Sequence, residues 1–235
     1  MTFRYPPASV EPTARRIRVR LGRTLIADST GAQLLNQIGP RRLPTYFLPH
    51  DDVKPGVLVD ETDEGWSVAG GRRRVDRGAY KNTEFPELAG HVTFSWDELD
   101  WYEEDEQVFG HARPPNHRVD SLRSSRRVEV YIKGERVANS TRPVVLFETG
   151  LPTRFYLPYE DLRMDLLTAS NTISYCPYKG QARYWSHPEM PDVAWSYPDP
   201  IPENPKIRDL VSFYNERVDM VIDGVPVERA DSPFA

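Results

Sequence analysis

The sequence predicts a mainly β protein of two tandem modules, residues 1–121 and 122–235, each with at most one or two short helices. Three observations lead there. Short β-branched and aromatic runs alternate with polar residues, the period-two pattern of strands with one buried face. Prolines number 22 and glycines 14, punctuating those runs and leaving little room for long helices. Four blocks recur in the same order in both halves, as duplication would leave them.

Arg18-Val-Arg-Leu-Gly-Arg-Thr-Leu-Ile-Ala-Asp-Ser-Thr30 returns as Glu129-Val-Tyr-Ile-Lys-Gly-Glu-Arg-Val-Ala-Asn-Ser-Thr141, a hairpin pattern around a glycine. Tyr46-Phe-Leu-Pro-His-Asp-Asp-Val53 returns as Phe155-Tyr-Leu-Pro-Tyr-Glu-Asp-Leu162. Thr93–Trp96 is matched with Ala194–Tyr197, and Arg118–Asp120 with Arg217–Asp219. The opening hairpin recurs once more over Arg217–Val227, either closing the second sheet or pairing back onto the first module. The charged, serine-containing stretch Ser121–Arg127 is the expected junction. One helix is expected where Asn204 can cap, Pro205 suits the first turn, and Ile207, Leu210, Val211 and Tyr214 share a face. A second short one is expected near Glu103–Phe109.

The net charge of -5 argues against non-specific nucleic-acid binding, which needs a dominant basic face. No apolar run is long enough to span a membrane. The start, Met1-Thr-Phe-Arg-Tyr-Pro-Pro-Ala8, lacks the apolar core of a signal peptide, so a cytoplasmic location is expected. Cys176 is the single cysteine, which excludes an internal disulfide and a multi-cysteine zinc site.

Comparing copies within one chain separates folding from chemistry. Shared positions serve the common fold, and reactive groups present in one copy only mark where function should be sought. The sharpest difference is Ser174-Tyr-Cys-Pro-Tyr-Lys-Gly-Gln-Ala-Arg-Tyr-Trp185, set against Glu64–Asp76, with Ser67–Gly71 opposite Cys176–Gly180. Pro177 and Gly180 mark a tight turn that can bring Cys176 and Lys179 within a few ångströms. Lys179 and Arg183 would then favour the thiolate and activate Cys176 as a nucleophile. Alternatively Cys176 is a small buried hydrophobe, or Lys179 alone matters in a ligand-binding turn.

Cys176-Pro-Tyr-Lys-Gly180 followed by Ala182 and Tyr184 resembles the signature of a bacterial and fungal family. That family is catalogued as a domain of unknown function and labelled nucleotidyltransferase-like. Ala138–Thr141, Arg154–Pro158 and Ala194–Pro198 carry the same resemblance, which covers nearly all of copy two and, without the cysteine motif, most of copy one. It implies a β-tent-like module, two antiparallel sheets meeting at an angle over a pocket. Many β-tent relatives hold zinc with paired cysteines. The resemblance implies no established reaction.

Other groups complete the candidate site. Arg154, Tyr156 and Arg163 can clamp a phosphate or carboxylate, or form ordinary salt bridges with Glu148, Asp161 or Asp165. His111-Ala-Arg-Pro-Pro-Asn-His-Arg118 is a rigid segment with two histidines; a histidine from here can reach the second module's pocket as a base for Cys176 or a substrate, or the segment is a hydrogen-bonded junction loop. Tyr156, Tyr178, Trp185, Trp195 and Tyr197 can line an aromatic pocket that His187 closes, or pack the core. The acidic run Trp96–Glu106 offers Asp97, Glu98 and Asp100 for magnesium, but neither a glycine-serine turn with a following Asp-x-Asp pair nor a phosphate-cradling loop accompanies it, and a solvated acidic segment is the preferred reading. No metal site is expected, and no cofactor is indicated.

Catalytic candidates are therefore Cys176, Lys179 and His111; ligand-binding candidates are Arg154, Tyr156, Arg163, Tyr178, Arg183, Trp185, His187 and Trp195. The leading expectation is a small-molecule-binding module, with neither nucleic acid nor membrane as partner. The alternatives are an enzyme using Cys176 or Lys179 in covalent or acid–base chemistry, and nucleotidyl transfer.

Overall fold

The computed structural model describes residues 6–39 and 42–232. The chain divides into two compact units, one running through Pro114 and the other starting at Pro115. The charged stretch expected as the junction instead contains the end of a strand, Val119–Arg123.

The first unit holds eleven strands among its described residues: β1 (Ser9–Pro12), β2 (Ile17–Leu21), β3 (Thr24–Ser29), β4 (Gln33–Asn36), β5 (Thr45–Pro49), β6 (Leu58–Val59), β7 (Gly65–Gly70), β8 (Arg73–Tyr80), β9 (His91–Phe94), β10 (Asp100–Glu103) and β11 (Glu106–Val108). The second holds eleven more: β12 (Val119–Arg123), β13 (Val128–Ile132), β14 (Glu135–Ser140), β15 (Val144–Glu148), β16 (Arg154–Pro158), β17 (Thr168–Cys176), β18 (Gly180–His187), β19 (Met190–Ser196), β20 (Leu210–Phe213), β21 (Asp219–Ile222) and β22 (Val225–Val227). Each unit has a seven-stranded and a four-stranded sheet, ordered β1-β4-β5-β9-β8-β7-β6 with β11-β10-β2-β3, and β12-β15-β16-β20-β19-β18-β17 with β14-β13-β21-β22. Adding eleven to each strand number converts one unit into the other. The strand pairs are antiparallel.

Strand registers confirm the first two sequence blocks and correct the others. Leu48 pairs with Val92 as Leu157 pairs with Val211, so Thr93 corresponds to Ser212 rather than to a residue of Ala194–Tyr197. Arg118–Asp120 leads into β12, the counterpart of β1, and has no kinship with Arg217–Asp219. The C-terminal hairpin β21–β22 pairs with β13 and closes the second sheet, as β10–β11 closes the first. Similar strand patterns, (apolar-polar)n around a turn, make such misalignments easy.

Both helix expectations fail. Pro205–Ile207 forms a single 3-10 turn and the chain then enters β20. Asp209, at φ 55, breaks the path between them. Val211 packs in the core between the sheets while Ile207 joins the opposite face, so the apparent helical stripe divides between two layers. Glu103–Phe109 is the β10–β11 hairpin, turned at Glu104 with φ 51.

The second unit's larger sheet is apolar on both faces. Arg154 through Leu157 are all buried. Phe155 and Leu157 face the four-stranded sheet, where Val128, Val130, Ile132 and Val137 meet Val145, Val211 and Phe213. Tyr156 turns the other way, into a second cluster with Val144, Leu146, Trp195, Tyr197 and Ile207. Burying each such side chain contributes about 1.5–3 kcal/mol. This second face carries the candidate site.

Candidate functional site

The motif lies on an extension of the β17–β18 hairpin that the equivalent β6–β7 hairpin of the first unit lacks. Val59 pairs with Ser67 on β6–β7, and the matching pair on β17–β18 is Thr168 with Ser186. Gly65 pairs with Tyr80 as Tyr184 pairs with Trp195. Residues 60–64 thus occupy the place of residues 169–183, ten more in the second unit. Cys176–Gly180 is therefore an insertion, and setting it against Ser67–Gly71 is corrected.

At the tip, the Lys179 amide donates to the Cys176 carbonyl at 3.2 Å and Cys176 pairs with Gly180, closing the turn. Gly180 sits at φ +104, and a Cβ there would approach the Asp199 carbonyl oxygen to 3.0 Å. Glycine meets both requirements at once. The tip is fastened to the segment before β20: the Ile201 amide donates to the Lys179 carbonyl at 3.2 Å, and Asn204 Nδ2 donates to the Tyr178 carbonyl at 2.8 Å. Asn204, expected as a helix cap, caps nothing by its side chain; its Oδ1 accepts from Ser121 Oγ at 2.9 Å.

Lys179 points inward. Its Nζ donates to Glu148 Oε2 at 2.5 Å, and His117 Nε2 donates to Glu148 Oε1 at 3.0 Å. The Lys179 and Glu148 side chains are only 10% and 6% exposed. The His117 ring stacks on Tyr178, centroids 4.3 Å apart and planes 22° from parallel. Burial opposes ionisation of Glu148, but the Lys179 ammonium and the His117 hydrogen bond overcome it and hold the carboxyl down at about 2. Burial also disfavours the Lys179 charge; interactions with Cys176, Glu148 and Tyr156 reverse that and keep it protonated well above the usual lysine range.

Cys176 is half-buried beside this pair. Burial pushes its thiol up; Lys179 acts in the opposite direction without prevailing, and the Glu148 carboxylate adds to the rise. The expectation of a thiol activated by Lys179 and Arg183 is corrected: Arg183 is an exposed residue on β18, and Glu148 already neutralises Lys179.

Tyr156, fully buried, accepts a hydrogen bond from Trp195 Nε1 at 3.2 Å. Tyr156 and Trp195 are both cross-strand partners of Ser212, so their hydrogen bond arches over that serine. Burial pushes the Tyr156 phenol up.

The remaining candidates separate from this group. Arg154 is buried and committed: Nη1 and Nη2 each donate to Glu216 at 2.6 Å, with Trp195 and Tyr214 rings near its guanidinium. Its acid is Glu216, none of those anticipated. Arg163 pairs with Asp165 at 2.6 Å on the surface. Trp185 packs toward the core between the sheets, edge-on to Tyr159. His187 lies at the far end of β18 from Gly180, about 23 Å away at strand rise. There its Nδ1 accepts from the Glu189 amide, so it turns a hairpin and closes no pocket at the motif. His111 belongs to the first unit, and the histidine that reaches the motif is His117.

Sequence reasoning missed Glu148 as a site member and, of the two histidines in the segment 111–118, settled on His111 rather than His117. The copies held the signal. Extending the β4 and β15 registers places Gln37 opposite Glu148, and extending β1 and β12 places Pro6 opposite His117. Phe47 stands for Tyr156. Among the described residues no group of three or more His, Cys, Asp or Glu side chains is arranged to hold a metal ion. No helix of the described residues is long and apolar enough to cross a membrane.

Residues 9–105 and 120–224 each match one family model, described as a domain of unknown function (DUF427). No match was found among curated proteins.

Proposed function

The chain belongs to the DUF427 family, and we propose that its second domain binds a small polar molecule in a pocket around the Cys176–Gly180 turn. One observation carries this reading. The first domain builds the same eleven-strand fold with Gln37, Phe47 and Pro6 where the second has Glu148, Tyr156 and His117, and without the long hairpin. The fold therefore does not require the buried Lys179–Glu148–His117 group, whose assembly carries a desolvation cost. The presence of this group in the second domain alone is what supports a ligand there. Lysine brings further ammonium donors, Glu148 further lone pairs, and Tyr178 with His117 a stacked ring edge. A ligand carrying both donors and acceptors beside a flat ring suits this set.

Thermal-shift screening against nucleotides, sugars and amines tests the reading, with Lys179→Met as the control. A compound that raises the melting temperature of the wild type and not of the variant supports it. Stabilisation by none at millimolar concentration counts against it.

A second reading is acid–base chemistry at the same turn. It is favoured by His117 sharing the Glu148 carboxylate with Lys179 in the way a base is oriented by a third group. Turnover of any compound found in the screen, lost in His117→Gln with binding kept, distinguishes it. Nucleotidyl transfer, named in the family's short label, predicts nucleotide affinity that depends on magnesium; affinity unmoved by magnesium removes it.

A further inference from the structure

The first domain has its own unshared feature, away from the equivalent of the Cys176 turn. Every described arginine of this domain divides into one of two sets. Arg15, Arg16, Arg18, Arg42, Arg74, Arg77 and Arg113 each form an ion pair with an acid. Arg20, Arg23, Arg72 and Arg73 form none among the described residues.

These four come together. Arg20 lies near the end of β2 and Arg23 in the turn between β2 and β3, while Arg72 lies in the turn between β7 and β8 and Arg73 opens β8. The two turns touch: a Cβ on Gly22 would lie 2.8 Å from Arg73 Nη1, and one on Gly71 would lie 3.2 Å from Thr24 Oγ1. Arg20 Nη2 donates to the Arg23 carbonyl at 3.5 Å, while Arg20 Nε is buried without a hydrogen-bond partner. Asp100 is the cross-strand partner of Arg20, yet its carboxylate accepts from Gln107 at 3.2 Å and forms no ion pair with the arginine. A buried guanidinium N–H left without an acceptor costs free energy that an arriving oxyanion recovers.

The second domain repeats the β2–β3 turn without the arginines and replaces the β7–β8 tip with a shorter one. The registers place Tyr131 and Gly134 at the positions of Arg20 and Arg23. Val68 pairs with Val75 as His187 pairs with Met190, so residues 69–74, which include Arg72 and Arg73, stand where the second domain has only Pro188 and Glu189. The fold therefore tolerates their absence, and arginines without an acid partner on two touching turns favour an anion between them.

We propose that the β2–β3 and β7–β8 turns of the first domain form a binding site for a small ligand carrying adjacent phosphates, with Arg20, Arg23, Arg72 and Arg73 as its donors. Guanidinium forks match the geometry of phosphate oxygens, and several of them favour a pyrophosphate group over a single anion.

The test is titration of the full chain with pyrophosphate and, separately, inorganic phosphate at low ionic strength, read by calorimetry and by backbone amide shifts. Pyrophosphate is expected to bind the more tightly and to move the amides of Gly22, Arg23, Gly71 and Arg72. Arg20→Gln and Arg73→Gln are each expected to weaken it about tenfold, with an unchanged melting temperature in the absence of ligand. Arg136→Gln in the second domain is expected to have no effect. No heat and no shift with millimolar pyrophosphate would overturn the proposal, as would equal weakening by Arg136→Gln. Binding that moves only amides around Lys179 would also overturn it, while leaving the proposal for the second domain standing.

Discussion

Lys179 Nζ and Glu148 Oε2 meet at 2.5 Å with both side chains shielded from water, and this ion pair ties the inserted hairpin to β15. The attraction operates where solvent screening is weak, and the same shielding makes either partner costly to leave alone.

Removing one partner should therefore cost far more than removing both. Lys179→Met is expected to destabilise the second domain by about 3 kcal/mol, because Glu148 keeps its charge with only His117 beside it. The double variant Lys179→Met, Glu148→Gln should regain a substantial part of that loss. Urea denaturation of the single and double variants measures the difference, and equal costs would contradict a coupled pair.

The acid limb of stability follows from the same carboxylate. Glu148 titrates at about 2 in the folded chain against 4.5 unfolded. Its contribution is thus complete above the unfolded value and is lost as pH falls from 4.5 toward about 2. Glu148→Gln should flatten this part of the stability profile. A variant profile as steep as the wild type's would show that other carboxylates dominate it.

Cys176 should alkylate slowly. Burial raises its thiol pKa, so at neutral pH iodoacetamide is expected to react more slowly with the folded chain than with a free thiol, and to reach normal rates in denaturant. Fast modification of the folded chain would restore the activated-nucleophile reading.

Gly180→Ala combines a left-handed backbone with a backbone oxygen at 3.0 Å from the new methyl. A loss of about 1–3 kcal/mol is expected, read as a lower melting temperature, together with loss of any ligand effect that depends on Lys179.

Ser212→Ala should be neutral or slightly stabilising. The serine is fully buried under the Tyr156–Trp195 hydrogen bond, and its hydroxyl has no partner among the described residues. A melting temperature that falls by several degrees would mean that the hydroxyl is engaged in the folded chain.

Some of this was legible in the amino-acid order alone. Period-two alternation and the repeated blocks Arg18–Thr30 and Tyr46–Val53 carried the mainly β class and the duplication, because strand alternation and hairpin turns are local properties. The unshared Cys176–Gly180 motif was visible for the same reason. What tertiary structure alone decided was pairing. Leu210–Phe213 reads as a helical stripe until β16 and β19 flank it on both sides as strands. Glu148 and His117 are 31 residues apart in sequence and became neighbours through the pairing of β12 with β15. Arg154 found Glu216, 62 residues away, and not the acids near it in sequence. Long-range contacts between strands are set by the burial of whole faces, so no single segment encodes which charged groups end up beside one another.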